Sequence, residues 1–224
     1  MASSVLRTSI CELLGIEYPI ILAGMASKGR ATPPPLVAAV SNAGGLGVMG
    51  GVGLNPEEIR QKIREIHSLT DKPFGVDLLL PASLAQVEET RSAVRQRLSQ
   101  EYPEHVEFVR GLTRQYNLPD TDVEDGLVLS RQLIEEQVQV VLEENVPVFA
   151  AGLGDPSWVV PQAREQGMKV IGLVGSVRNA LRQVEAGVDI VVAQGYEAGG
   201  HTGRVANFPL IPQTVDAVKW MSRR

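Results

Sequence analysis

Short apolar runs alternate with stretches of helical spacing along most of this chain. Pro19 to Met25 (PIILAGM) is opened by proline and closed by small residues, which predicts a buried strand. Leu36 to Asn42 (LVAAVSN) then has the spacing of a helix, and Ala43-Gly44-Gly45 ends it. Leu46 to Met49 predicts a second strand. Asn55-Pro56-Glu57-Glu58 follows as an N-cap, a proline at N1 and early acids, opening a helix that runs to His67. Phe74 to Leu80 (FGVDLLL) predicts a third strand. From Pro81 to Asn145 the pattern turns polar and helical, with Glu88, Glu89, Arg91 and Arg95 on alternating turns, and predicts a helical insertion over residues 81–145. The earlier rhythm then returns. Strands are predicted at Val146 to Ala151, Val170 to Val174 and Asp189 to Ala193, helices at Trp158 to Gln166 and Val177 to Ala186, and a last helix from near Pro212.

Helical crossovers between successive strands make those strands parallel, so the expected fold class is α/β, in a single domain over residues 1–224. The pattern alone leaves two architectures open, a doubly wound open sheet and part of a barrel. A complete eight-unit barrel typically takes ~250 residues. The 224 residues here, with an insertion among them, fall short of that by about two units.

Composition narrows the function classes. Hydrophobic residues make up 44% of the chain, enough for a continuous core, and the scarcity of aromatics (4%) beside 22 glycines suits short strands packed closely by helices. The net charge of −5, with 26 acidic and 21 basic residues mixed along the chain, offers no basic face for a phosphate backbone, so nucleic acid is not expected as a partner. The single cysteine, Cys11, forms no internal disulfide, and no Cys/His cluster has metal-ligand spacing. No long apolar run predicts a membrane span or targeting segment, and the expected location is a reducing cytoplasm.

Two glycine-rich segments invite a ligand reading. Gly45 to Gly50 (GLGVMG) matches the dinucleotide fingerprint G-x-G-x-x-G, but a helix precedes it and its glycines lie in and after a strand. The fingerprint needs the reverse order, so these glycines are expected to serve close packing. The sharper signal is Ala193 to Gly203 (AQGYEAGGHTG), placed straight after the apolar Ile190-Val191-Val192. Ligands of parallel β/α proteins sit at the loops leaving the carboxyl ends of strands. Glycines there let backbone approach a flat ligand, Gln194 offers both donor and acceptor to a heterocycle, and imidazole suits proton transfer, which marks His201. The alternative is a glycine-rich surface loop carrying a solvated histidine. His67, at the end of a helix, His105, in the charged insertion, and Cys11 read as structural or surface residues.

The run AQGYEAGGHTG resembles the signature loop of the nitronate monooxygenase family and of the related flavin-dependent enoyl reductases. YPIILAGM, AVSNAGGLGVMGG, KPFGVDLLLP and FPLIPQTVDAV agree with it in the same order. The resemblance implies a (β/α)8 TIM-barrel type, here truncated after about six β/α units, whose phosphate-binding loops would belong to two further units. It implies FMN as cofactor, His201 as catalytic base, and Gly24, Met25, Asp77, Gln194, Gly199 and Gly200 as flavin-binding positions. Asp77 stands where many members have an asparagine, and Leu22 and Leu173 stand where some have glutamine and lysine. The implied activity is oxidation of nitronates or nitroalkanes with molecular oxygen. The alternatives are an NAD(P)H-dependent enoyl reductase and a catalytically inactive scaffold or binding module. A chain with open barrel edges is further expected to hold FMN weakly and to self-associate.

Overall fold

The computed structural model describes residues 6–25, 30–81, 91–119 and 129–221. Its first helix, α1 (Ser9–Leu14), is followed by the segment predicted as the first strand, which forms a single parallel bridge between Ile21 and Leu46. Leu22 N–H donates to the Leu46 carbonyl and Leu46 N–H to that of Ile20, both at 2.9 Å. Further on, a hydroxyl stands between the two segments. Thr32 Oγ1 accepts from the Met25 and Gly50 N–H groups at 3.3 and 2.9 Å and lies 3.3 Å from the Met25 carbonyl, its acceptor when it donates. One side chain thus satisfies backbone groups on both segments.

Beyond it run α2 (Pro34–Asn42), β1 (Gly47–Gly50), α3 (Pro56–Leu69) and β2 (Phe74–Leu80). The predicted cap of α3 is present in full. Asn55 Oδ1 accepts from Glu58 N–H at 2.8 Å and Glu58 Oε2 accepts from Asn55 N–H at 2.7 Å, satisfying two groups that a helix end otherwise leaves bare. Ile59, Ile63 and Ile66 recur at helical spacing and are completely buried, each stabilising the fold by about 1.5–3 kcal/mol. Val37 lies so close to Gly47, and Met25 to Gly50, that a Cβ at either glycine would meet backbone, so these glycines of the GLGVMG run serve close packing.

Within residues 81–145 lie α4 (Arg91–Glu101), α5 (Pro103–Gln115) and α6 (Arg131–Glu143). The chain divides into two compact units, Met1–Ser83 with Gln132–Arg224 and, separately, Leu84–Arg131. The second unit contains α4 and α5. In the first, α6 is a crossover helix. Its buried Gln137 donates to the Leu54 carbonyl at 2.7 Å, and Glu143 at its end and Glu144 just beyond pair with Arg60 of α3, each at 2.7 Å.

The regular alternation resumes with β3 (Val148–Gly154), α7 (Val160–Glu165), β4 (Lys169–Val174), α8 (Val177–Ala186), β5 (Ile190–Ala193) and α9 (Asn207–Met221). All neighbouring strands are parallel and the sheet order is β1-β2-β3-β4-β5. A parallel sheet in sequence order, linked by helices, is the construction of a (β/α)8 barrel of TIM type. Alternate positions define its two faces. On one, Val48, Val148, Ala150 and Ile171 form an apolar layer that Cys11, Leu14 and Ile16 close off, with Cys11 as a buried hydrophobe. Asp77 and Gly152 follow on the same face, two residues past Gly75 and Ala150, towards the carboxyl ends of the strands.

The last helix opens at Asn207, five residues before Pro212, which sits inside it. Its start is set from outside the helix. Asn207 N–H donates to Glu197 Oε2 at 2.8 Å, an N-terminal partner that local spacing does not reveal. No helix among the described residues is long and apolar enough to cross a membrane.

Candidate active site

Beyond the carboxyl ends of β3, β4 and β5 lies a cavity of about 690 Å³. Its walls come from the end of β3 (Gly152), the turn after β4 and the first turns of α8 (Ser176, Arg182), and the loop after β5 (Gln194, His201). The position is the one where parallel β/α folds collect ligands.

The β5 loop is held by its own polar groups. Gln194 Nε2 donates to the carbonyls of Gly199 and His201 at 3.3 and 3.1 Å, and Asn207 Oδ1 accepts from the Gly195 N–H at 2.6 Å. Tyr196 N–H reaches the Val205 carbonyl at 3.0 Å. The donors of Gln194 therefore fix the loop, while its Oε1 accepts no hydrogen bond among the described residues. His201 is exposed and lines the cavity, its imidazole free of hydrogen bonds to described residues. Gly199 and Gly200 stand in open space, with nothing within 4 Å of a Cβ built on either, and neither lines the cavity.

Gly175, which the sequence reading did not single out, and Gly203, the last glycine of the AQGYEAGGHTG run, carry the loop's approach to β4. A Cβ on Gly175 would lie 2.7 Å from Gly203 Cα, and one on Gly203 would lie 2.7 Å from the Gly175 carbonyl oxygen. Backbone thus meets backbone where the turn after β4 touches the loop bearing His201. Gly203→Ala is expected to force these loops apart and destabilise the site by about 1–3 kcal/mol. Faster amide exchange at Gln194 to Val205 with little change elsewhere would report it, and unchanged exchange would show that the contact yields freely.

The remaining predicted residues gather on the neighbouring strands. Gly24 packs directly on the Asp77 side chain, and Met25, half-exposed, is tied to β1 through Thr32. A Cβ on Gly152 would lie 2.8 Å from each Asp77 carboxylate oxygen, so the carboxyl occupies space that only glycines leave open. Gly152 also lines the cavity and joins the two groups of residues. Burial pushes the Asp77 carboxyl up to about 7, with the Gly152 backbone amide pulling the other way. Asp77 Oδ1 is buried with no hydrogen-bond partner.

Gln183 was also missed. Buried on α8, it lines the cavity and donates to the Gly154 and Leu173 carbonyls at 3.3 and 3.4 Å. A glutamine spaced as a core residue on an amphipathic helix was its only signal. His67 stacks edge-on against Phe74, with ring centroids 4.9 Å apart, and His105 lies 3.9 Å from Glu104 on an exposed surface.

A parallel β/α barrel with a histidine-bearing glycine loop over its strand ends defines an enzyme class that works on ligands seated against those ends. The family is settled by comparison. Residues 7–220 match the model of the family described as nitronate monooxygenase, and the chain belongs to that family. A Mycobacterium tuberculosis relative, whose monooxygenase name is provisional, is 36% identical over 221 residues, covering 95% of this chain and 57% of its own. A "Probable nitronate monooxygenase" of Staphylococcus saprophyticus is 33% identical, covering 95% and 59%. The chain therefore spans less than two thirds of the length of these curated relatives. Among solved structures, FabK from Thermotoga maritima is similar with TM-score 0.69 and 32% identity, covering 95% of this chain and 51% of FabK. Nitroalkane oxidase from Streptomyces ansochromogenes gives TM-score 0.69 at 27% identity, covering 94% and 58%.

Proposed function

We propose that this chain carries the substrate-facing part of a nitronate-oxidising flavoenzyme, with FMN as cofactor, a nitronate or nitroalkane as substrate, and oxygen as the final electron acceptor. The observation that supports it is the placement of His201, beside the cavity at the carboxyl ends of β3 to β5, on a loop whose backbone Gln194 holds. The residues present fit a flat heterocycle. Gly24 and Gly152 leave the strand ends without side chains, and Asp77 between them has a buried, unpaired oxygen. Gly24, Met25, Asp77 and Gln194 would hold the flavin, with Gly199 and Gly200 reaching it only if the loop closes over the ring. Bound there, the flavin supplies redox chemistry, accepting the substrate's electrons and passing them to oxygen.

The protein's own part is proton transfer and charge. With a neutral nitroalkane, neutral His201 removes the α-proton, leaving the carbon–nitrogen unit as a nitronate anion and the proton on the imidazole. With a preformed nitronate no base is needed, and a protonated His201 instead holds the anion. Arg182 and Arg204 on the cavity wall add positive charge that favours anionic substrates.

Oxygen consumption by the flavin-loaded protein is expected with propionate 3-nitronate and with alkyl nitronates. Absence of uptake from a sample whose spectrum shows bound flavin would overturn the reading. The likeness to FabK supports a second reading, an NAD(P)H-dependent flavin enoyl reductase. Rapid bleaching of the bound flavin by NADPH, without nitronate-driven oxygen uptake, would select it.

A further inference from the structure

Asp77 is set apart by what surrounds it. The carboxyl points to the strand-end face between Gly24 and Gly152, with Oδ1 sealed from solvent and accepting no hydrogen bond. An ionised carboxylate there leaves one charged oxygen without water, donor or cation, an expensive arrangement. No counter-charge comes from its neighbours. β1 (GVMG), β3 (VFAAGLG), the rest of β2 (FGV and LLL) and the segment Pro19 to Met25 (PIILAGM) contain no other titratable side chain. On the cavity side, where Gly152 leads, the titratable groups are Asp155, Arg182, His201 and Arg204. The influences acting on the Asp77 proton are nevertheless burial and the Gly152 amide.

A proton resolves this conflict and changes what Asp77 can do. An ionised carboxylate only accepts hydrogen bonds, whereas the neutral acid has one O–H to donate. A flat ring laid over Gly24 and Gly152 removes the remaining solvent from the carboxyl and tilts it further towards the neutral form. We propose that Asp77 binds the flavin ring as a neutral acid donating its O–H to a ring carbonyl or nitrogen, so that flavin binding draws a proton onto the protein. This inference rests on the flavin-binding reading above.

The consequence is a pH-dependent affinity of fixed sign. Below about pH 7 the acid is already protonated and binding is insensitive to pH, while above it each pH unit weakens binding by up to about tenfold. FMN titrated into the full chain between about pH 6 and about pH 9, followed by flavin fluorescence, measures this. Riboflavin run alongside removes the titration of the FMN phosphate from the comparison. For the unaltered protein Kd is expected to rise by roughly 10- to 100-fold across that range. Asp77→Asn, which donates at every pH, should bind with the low-pH affinity throughout, and Asp77→Ala should bind weakly and without pH dependence. Infrared difference spectra on adding FMN near pH ~8 should show a protonated-carboxyl band that Asp77→Asn lacks.

A flat profile for the unaltered protein would overturn the inference. So would affinity that rises with pH, a variant that keeps the native slope, or infrared spectra without the carboxyl band. Should Asp77→Asn fail to fold, Asp77→Ala and the infrared band of the unaltered protein decide the matter. In all of these outcomes flavin binds. If neither the unaltered protein nor Asp77→Asn binds FMN or riboflavin at any pH, the flavin reading itself is overturned, and this inference with it.

Discussion

Replacing His201 by asparagine in the flavin-loaded protein is expected to cut turnover of neutral nitroalkanes by about 10²- to 10⁴-fold, the usual contribution of a positioned general base. Turnover of preformed nitronates should fall far less, because their α-proton is already gone. The structure makes the substitution a clean test. Gln194 holds the loop through the backbone carbonyl of His201, at 3.1 Å, and the imidazole makes no hydrogen bond to described residues. Asparagine therefore removes the base and leaves the loop's bonding in place. Steady-state oxygen uptake with a nitroalkane and its nitronate gives the comparison. Equal losses on both substrates would exclude His201 as the base.

Phe149→Ala is expected to lower stability by ~3–5 kcal/mol, the range for deleting a buried aromatic side chain. Phe149 is completely buried near the start of β3, the central strand, and pairs in register with Val76 of β2 and Val170 of β4. It alternates with Ala150 and so lies on the face opposite Asp77 and the cavity. For a chain of this size each kcal/mol shifts Tm by roughly 2–4 °C, so thermal unfolding should move down by roughly 6–20 °C. Flavin affinity well below the transition should change little, because the deleted ring touches the helix side of the sheet. A shift of only a degree or two would show that the helices collapse onto the vacated space.

Elements whose pattern is local were legible from sequence. β2 and α8 have the boundaries expected from their apolar runs, and α3 starts where Asn55, Pro56 and Glu58 spell its cap. The first strand was not: beyond its one bridge its backbone is held by Thr32, a residue eighteen positions from its partner Gly50 and marked by no periodicity. The start of α9 was hidden for the same reason, being fixed by Glu197 across a loop.

The sequence by itself determined the alternation of strands and helices, and it marked the glycine-rich loop with His201 as the place where chemistry belongs. A dense run of glycines after an apolar strand is a local signal with a local cause. Only the tertiary structure decided what surrounds that loop. It showed that Gln194 spends its donors on the loop backbone, that Gly175 and Gly203 bring two loops into contact, and that Gly199 and Gly200 stand clear of the cavity. It also decided the state of Asp77. A carboxylate in the run FGVDLLL carries an ordinary charge until Gly24 and Gly152, from segments far away in the chain, pack against it and Oδ1 is sealed from water. Burial is a property of the assembled sheet, and no spacing within one strand encodes it.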